Sequence, residues 1–474
     1  MIEINTKIHD KYSIEFKVGF VTRRKTVKND FTVGMWIFVP GSLDITPSTY
    51  SKSDFYRDVK SNVRLITPSF ILRDIVDGAA IPLNNVRKAA DAMASDPTRG
   101  NTAEFVYQMK MFAAIVKSAL REETNYILTQ GKKALLIDQY TDNLKSIIAA
   151  YVELEQRILT PSVGQVGIDA YNMSGDFMCT VAIQHSLKLL KAISPDVSLA
   201  SRQESLRELV HGINRLRHER GYSSTTDVYR HGVLKKYVES QLYLRVPKKR
   251  DGVLVEQAYY SLAAGLAMLF ATVVAWAFQR RFGNLTWPLF IALVISYMMK
   301  DRIKELTRYY FAHKISSKYF DNKARINIKD RNIGSLREAV DFIPRHNVPD
   351  EIMKIRKTGA LFPSDNLRSD EKVILYRKLV HIDRDKMMEN ATYNYSGVND
   401  IIRLQVNSFL HKMDNPLVPL NTLSDDGTVR EVLCPKEYYL NIVLKYEYDS
   451  TCDYKHFRIT LDRDGIKGIE EIAV

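Results

Sequence analysis

The chain has 474 residues, of which 45% are hydrophobic and 26% charged, and this balance excludes a disordered, collagenous or fibrous protein. Its mean hydropathy of -0.22 is too polar for a protein built mainly of membrane spans. The formal net charge is +13, and the three cysteines, Cys179, Cys434 and Cys452, are too few and too scattered for a disulfide framework or a zinc site.

Residues 1–83 are predicted to form a β-rich N-terminal segment. Apolar and polar residues alternate over 14–20 (IEFKVGF), which predicts a strand with one buried face. The apolar run 31–39 (FTVGMWIFV) predicts a strand that is buried on both faces. Asn29 and Asp30 predict a turn just before that strand.

Residues 84–250 are predicted to form a cytoplasmic helical bundle, because apolar residues recur there at helical spacing. One seam steps by four and three residues and consists of Tyr140, Leu144, Ile147, Tyr151, Leu154 and Ile158. A later helix is predicted to begin at a capping box formed by Ser201 and Glu204. Gly221 is predicted to end it.

That later helix carries a polar stripe made of Arg207, His211, Arg215 and His218. A basic face with histidines could bind phosphate or cleave a phosphodiester, with histidine as acid or base. The solvated face of an amphipathic helix explains the same spacing. We favour the solvated face, because the sequence pairs no nucleophile or second carboxylate with the stripe.

Basic residues are concentrated in 202–250, which contains twelve Lys and Arg against five Asp and Glu. The candidate residues for binding anionic lipid or nucleic acid are Arg215, Arg217, Arg220, Arg230, Lys235, Lys236, Lys248, Lys249 and Arg250. Basic clusters beside a membrane span attract anionic headgroups, and they can also meet nucleic acid. Lipid is the simpler partner, because the cluster immediately precedes the most apolar part of the chain.

Two uncharged runs, 257–279 and 282–299, are separated only by Arg280 and Arg281. A helix needs about 20 apolar residues to cross a hydrocarbon core, so residues 257–299 are predicted to form a transmembrane helical hairpin. Ala263, Ala267, Ala271 and Ala275 recur every four residues, and Ala292 and Ser296 could face them. Small residues on one face let a second helix approach closely. A buried hairpin in a soluble domain is the alternative.

The orientation of this hairpin is predicted from the flanking charges. Nine Lys and Arg residues lie within 243–257 and 300–314, whereas the turn between the runs holds only Arg280 and Arg281. The positive-inside rule then places both flanks in the cytoplasm. The N-terminus shows no signal-peptide pattern. We therefore expect an inner-membrane protein of bacterial type with two spans and cytoplasmic N- and C-termini.

The remainder is predicted to comprise a juxtamembrane helix over 300–320 and a cytoplasmic α+β domain over 321–474. Short helices are predicted near 335–343 and 350–357. Strands of an antiparallel sheet are predicted at 373–382, 438–447, 454–461 and 466–473. The whole chain is thus predicted to be an α+β membrane protein.

No motif in the sequence indicates a particular chemistry. Phosphate-binding, dinucleotide-binding, zinc-protease and serine-hydrolase signatures are absent. The segment around Asp462 and Asp464 partly matches a calcium loop, but Thr460 and Lys467 occupy positions where ligands or apolar residues are needed. A hairpin turn at Asp464-Gly465 explains it better. We expect no cofactor and no metal.

The sequence favours a non-enzymatic function, namely a membrane-anchored cytoplasmic scaffold, sensor or effector that binds a protein partner or a second copy of itself. The alternative is a membrane-anchored hydrolase or nuclease that uses the stripe of Arg207, His211, Arg215 and His218. A third possibility is an oligomeric effector that perturbs the membrane. Neither apolar run carries a polar stripe that could line a channel.

Overall fold

The computed structural model describes residues 2–23, 28–76, 81–131, 134–222, 227–283, 286–316, 320–328, 331–358, 371–389, 391–449 and 451–474. Over these residues the chain is a mixed α+β protein with antiparallel sheets and helices. It divides into two compact units. The first comprises Met1–Val63, Leu244–Asn390 and Gly397–Val474, and the second comprises Arg64–Tyr243 and Ala391–Ser396.

The strands belong to the first unit. They are β1 (Ile2–Asp10), β2 (Ser13–Val21), β3 (Lys28–Val39), β4 (Val59–Leu65), β5 (Lys248–Arg250), β6 (Asn322–Ile328), β7 (Arg331–Ile343), β8 (Lys372–Asp383), β9 (Gly397–Gln405), β10 (Leu417–Leu423), β11 (Val429–Pro435), β12 (Tyr438–Tyr448), β13 (Thr451–Asp462) and β14 (Gly465–Ile472). Only the last two residues of β4 fall in the second unit.

The helices longer than one turn lie in both units. They are α1 (Lys52–Asp58), α2 (Ile81–Ser95), α3 (Arg99–Thr129), α4 (Ala134–Glu153), α5 (Glu155–Ile158), α6 (Gln165–Ile193), α7 (Ala200–Glu219), α8 (Val228–Glu239), α9 (Val253–Phe282), α10 (Trp287–Ser316), α11 (Asp350–Thr358), α12 (Arg384–Met388) and α13 (Asn407–Leu410). Helices α2 to α8 form the second unit.

Two sheets pack against each other in the first unit. An eight-stranded sheet has the order β14-β13-β12-β3-β8-β7-β6-β5, and a four-stranded sheet has the order β1-β2-β9-β4. Their inner faces meet through aromatic side chains, since the ring centroids of Phe20 and Phe31 are 5.0 Å apart. Helix α11 packs on the outer face of the larger sheet, where Ile352 joins a buried cluster with Trp36 and Phe38.

Strand pairing joins the two ends of the chain. Strand β3 lies between β8 and β12 in the larger sheet, and β2 pairs with β9 in the smaller one. The boundaries drawn from the sequence at residues 83 and 320 therefore separate strands that share a sheet. The physical reason is that the backbone N–H and C=O groups on both edges of the buried strand β3 need hydrogen-bond partners, and the strands that supply them, β8 and β12, come from the C-terminal half.

The second unit has the helical character that the spacing of its apolar residues predicts. All six residues of the seam that begins at Tyr140 are buried. Gly221, with a φ of 64°, follows the last turn of α7 as predicted. The predicted capping box is wrong, because α7 begins at Ala200 with Leu199 as its N-cap, so Ser201 lies inside the helix.

Candidate membrane-anchoring site

Helices α9 and α10 form an antiparallel hairpin. The Ser296 hydroxyl donates to the carbonyl oxygen of Ala271 at 3.4 Å. Nearer the base of the hairpin, the guanidinium of Arg308 lies 4.6 Å from the centroid of the Tyr260 ring. Both contacts join residues about equally distant from the turn, so the two helices run side by side along their length.

Small side chains occupy the buried positions of this hairpin. Ala263 and Ala267 are 0% and 1% exposed, and Ala292 and Ser296 are 6% and 3% exposed. Ala271 and Ala275 are partly buried. The sequence-predicted ladder and its facing residues thus lie where α9 and α10 approach each other, whereas packing of this ladder inside a membrane stays a prediction.

Large apolar side chains cover the rest of the hairpin surface. Leu269, Val273 and Trp276 of α9 are more than half exposed, as are Phe290 and Ile295 of α10. A contiguous exposed apolar surface of this kind marks an interaction site or a membrane contact.

Within the described residues, one helix is long and apolar enough to cross a membrane. It spans Glu256–Phe282 with a mean hydropathy of 2.0, and 11% of its most apolar window is buried. Helix α10 does not qualify, because it begins at Trp287 and reaches Lys300 after 13 residues. Thirteen helical residues extend about 20 Å, short of the ~30 Å of a hydrocarbon core. Two complete spans are therefore not confirmed.

The first residues of the second apolar run explain this difference. The uncharged run 282–299 includes the end of α9 and the turn, where Gly283 adopts a φ of 77°. The sequence prediction was based on uncharged residues alone, so it included these turn residues in the second helix and made that helix too long.

Many of the predicted lipid-binding basic residues have carboxylate partners within their own unit. Arg217 is 5% exposed and pairs with the buried Asp176 at 3.0 Å. Arg230 pairs with the same carboxylate at 2.9 Å. Arg220 contacts Glu155 at 2.5 Å. Arg217 and Arg230 thus neutralise the buried Asp176, and Arg220 neutralises the partly exposed Glu155.

Two residues next to the hairpin are also paired. Lys248 donates to Glu338 at 2.6 Å, and Arg250 lies 3.1 Å from Glu256 at the start of α9. Arg215, Lys235, Lys236 and Lys249 are exposed. Linear charge counting could not separate the two groups, because the partner carboxylates other than Glu256 lie far away in sequence.

The stripe on α7 is exposed throughout. Arg207, His211, Arg215 and His218 all lie on the solvent side, while Leu206, Leu209 and Ile213 of the same helix are buried. Arg207 pairs with Glu204 one turn away at 2.9 Å. The arrangement is that of an amphipathic surface helix.

A buried polar cluster that the sequence did not indicate lies between the two sheets. Lys378 of β8 and Asp400 of β9 are 0% and 1% exposed and form an ion pair. Ser61 of β4 lies between them, accepting from Lys378 Nζ at 2.8 Å and donating to Asp400 Oδ1 at 2.7 Å. The hydroxyl of Tyr376 donates to Glu338 Oε2 at 2.8 Å.

Electrostatics keep Glu338 ionised in this cluster. Burial alone would raise the pKa of its carboxyl, but the nearby charges of Lys378 and Lys248, with the hydrogen bond from Tyr376, hold the pKa below its ordinary value. The sequence offered one sign of this cluster, namely Lys378 within the apolar strand 373–382 (VILYRKLVHI). We interpret the cluster as structural, because its central lysine and carboxylates are buried.

Among the described residues, no group of three or more His, Cys, Asp or Glu side chains could hold a metal ion. The calcium-like segment is a hairpin turn between β13 and β14, where Asp462 Oδ1 accepts from the backbone N–H of Asp464 and of Gly465. The carboxylate also pairs with Lys467 at 2.7 Å. A hairpin turn is therefore confirmed here, with Arg463 and Asp464 between the strands and Gly465 as the first residue of β14.

Comparisons with known proteins give no match. No protein-family model, no curated protein and no solved structure is similar to this chain. The functional argument depends on the residues of the chain itself.

Proposed function

We propose that this protein is a membrane-anchored, non-enzymatic scaffold whose α9–α10 hairpin is embedded in a bilayer. The observation that carries the proposal is the exposure of α9, the most apolar helix. Only 11% of its most apolar window is buried. The core helix of a soluble protein hides such a surface, because burying apolar area gives ~25 cal/mol per Å². A bilayer would cover the surface that α9 and α10 leave open.

Both helices are proposed to insert together as two spans. The apolar part of α10 is short, but Lys300 can extend its ammonium group towards the headgroups, and a bilayer can thin locally at modest cost. Trp276 and Trp287 lie near the turn, where aromatic residues favour the far interface. Both termini are proposed to lie on the cytoplasmic side of a bacterial inner membrane.

This topology predicts the labelling of a native cysteine. Cys452 is exposed on β13, whereas Cys179 is buried. We expect a membrane-impermeant maleimide to leave Cys452 unlabelled in intact spheroplasts and to label it after lysis. The control is Arg281→Cys in a Cys452→Ser background, which places a thiol at the turn and should be labelled before lysis. Labelling of Cys452 in intact spheroplasts would contradict cytoplasmic C-terminal placement.

Anionic lipid is the proposed partner of the exposed basic residues. The triple substitution Lys235→Gln, Lys236→Gln and Lys249→Gln removes three exposed charges. Each basic residue near an anionic surface contributes about 1 kcal/mol, and about 1.4 kcal/mol is tenfold in affinity, so we expect binding of short-chain phosphatidylglycerol to the detergent-solubilised chain to weaken by up to about a hundredfold. Binding of phosphatidylcholine should stay the same.

A matched control removes three other exposed lysines, through Lys354→Gln, Lys357→Gln and Lys372→Gln. The net charge changes equally, so lipid binding through Lys235, Lys236 and Lys249 themselves predicts little change in lipid preference for this control. If binding of phosphatidylglycerol weakens equally in both triple variants, the net charge of the chain controls binding, and Lys235, Lys236 and Lys249 have no special role. If the first variant instead loses only a single-stranded oligonucleotide, nucleic acid replaces lipid as the proposed partner.

A further inference from the structure

The β10–β11 hairpin is exposed on both faces. Seven of its apolar side chains are between 36% and 70% exposed, namely Leu417, Val418, Leu420, Leu423, Val429, Val432 and Leu433. The two strands form a sheet of their own, and in the described part of the chain no third strand pairs with either of them. An isolated two-stranded sheet is marginally stable in water, so this hairpin is suited to gain a strand from outside.

Hydrogen bonds at both ends of the hairpin establish which backbone groups point outward. The N–H of Ser424 donates to the carbonyl of Thr428, and the N–H of Lys436 donates to the carbonyl of Pro416. In an antiparallel ladder, bonded pairs alternate with non-bonded pairs. The register opposes Leu420 to Val432, so even-numbered residues bond across the hairpin and odd-numbered residues direct their N–H and C=O groups outward.

The two outer edges therefore differ. On β10, the outward position 419 is a proline, which has no N–H and blocks strand addition. On β11, Val429, Glu431 and Leu433 each present an N–H and a C=O to the outside. The edge of β11 is open over three consecutive outward positions, and the edge of β10 is not.

A second copy of the chain fits this open edge poorly. When two β11 strands pair about a two-fold axis, odd-numbered residues of one strand must lie opposite odd-numbered residues of the other, because only these residues point their N–H and C=O groups outward. The register that uses all three outward positions places the two-fold axis at Glu431. It places Glu431 directly opposite its own copy, and like charges directly opposite each other are destabilising. If the two-fold axis lies at Val432 instead, Pro435 lies opposite Val429. Proline has no N–H, so this register loses a hydrogen bond.

We propose that the outer edge of β11 binds an extended segment of a partner protein by strand addition, with aliphatic residues beside Val429 and Leu433 and a basic residue opposite Glu431. Glu431 has no ion-pair partner among the described residues, whereas the neighbouring Arg430 pairs with Asp426 at 3.5 Å. The inference rests on the proposed scaffold function only in expecting a protein partner. It does not depend on insertion of α9 and α10 into a membrane.

The test uses two proline variants of the full chain. Leu433→Pro removes an outward N–H from β11, and Asn421→Pro removes an outward N–H from β10, so neither breaks a bond within the hairpin. A phage-displayed library of random 12-residue peptides is selected on the wild-type chain, and enriched peptides are synthesised. We expect these peptides to bind Leu433→Pro about tenfold more weakly, as the loss of a backbone hydrogen bond implies, and to bind Asn421→Pro like wild type.

A charge reversal tests the recognition of Glu431. We expect enriched peptides to carry a basic residue and to bind Glu431→Lys up to about fivefold more weakly, while replacing that basic residue with glutamate restores binding to this variant. Equal binding to both proline variants, or enrichment without a basic residue, would overturn the proposal. A wild-type dimer in solution that Leu433→Pro dissociates would replace the foreign segment with a second copy. Failure of the hairpin to enter membranes would leave these outcomes unchanged, so the two proposals are tested separately.

Discussion

Lys378→Met is expected to lower the free energy of unfolding by about 3–5 kcal/mol, because it leaves the carboxylate of Asp400 buried without its partner charge. Lys378 and Asp400 are 0% and 1% exposed, so water cannot replace the lost ammonium group. Ser61 would keep its hydrogen bond to Asp400, which compensates only in part. Urea unfolding followed by the fluorescence of Trp36, in a Trp276→Phe and Trp287→Phe background, measures the first unit.

Two further variants separate the buried charge from the loss of a lysine. Lys386→Met removes a lysine whose side chain is 62% exposed and pairs with Asp383, and it should change stability by less than about 1 kcal/mol. The double variant Lys378→Met and Asp400→Leu should recover most of the loss, since apolar replacement of a buried pair is often neutral. A double variant no more stable than Lys378→Met would contradict this account.

The double substitution Leu269→Arg and Val273→Arg is expected to release the chain from membranes. Both side chains are more than half exposed near the middle of α9. Each arginine at the centre of a span costs about 2.5–3.5 kcal/mol of insertion free energy. We expect the wild-type chain to float with vesicles in a sucrose gradient and the variant to stay at the bottom.

The matched control places two arginines on exposed apolar positions of the second unit, through Leu187→Arg and Val233→Arg, which are both 41% exposed in the wild type. It adds the same charge and should float like the wild-type chain. If the α9 variant also floats, lipid does not cover this face of the helix, and membrane anchoring by the hairpin is wrong.

Strands and helices with a regular apolar period were predictable from the sequence. The predicted strand over 373–382 lies within β8, and the predicted helix over 350–357 lies within α11. The predicted helix near 335–343 is wrong, because that segment is the second half of β7. Glu338 points inward from this strand. Its charge interrupts the series of inward apolar residues, so the sequence did not show the alternation of apolar and polar residues that predicts a strand.

Other errors have similarly local causes. Asn29 and Asp30 lie within β3 and not in a turn, where the buried Asn29 accepts a hydrogen bond from Tyr448 at 2.6 Å. Strands β1, β4 and β9 were not predicted, and β1 is largely exposed, which leaves a weak apolar pattern. Local sequence patterns do not show a polar residue's distant partner.

For the candidate site, the sequence predicted the packing of the two helices better than the environment of the basic residues. The spacing of Ala263 and Ala267 predicted their burial correctly. The basic residues were selected by proximity in sequence, yet Arg217 pairs with Asp176 and Lys248 with Glu338. Such pairs depend on which strands and helices become neighbours, and this information is absent from a count of charges.

The pairing of β3 with β12 has a consequence for synthesis of the chain on the ribosome. Phe31 pairs with Tyr448, so the larger sheet cannot close until nearly the whole chain has been made. At about 5–20 residues per second, β3 waits roughly 20–80 s for this neighbour. Helices α9 and α10 emerge during that interval. The nascent N-terminal strands therefore remain open to aggregation, and a chaperone that shields them until translation ends would protect the chain when it is most vulnerable.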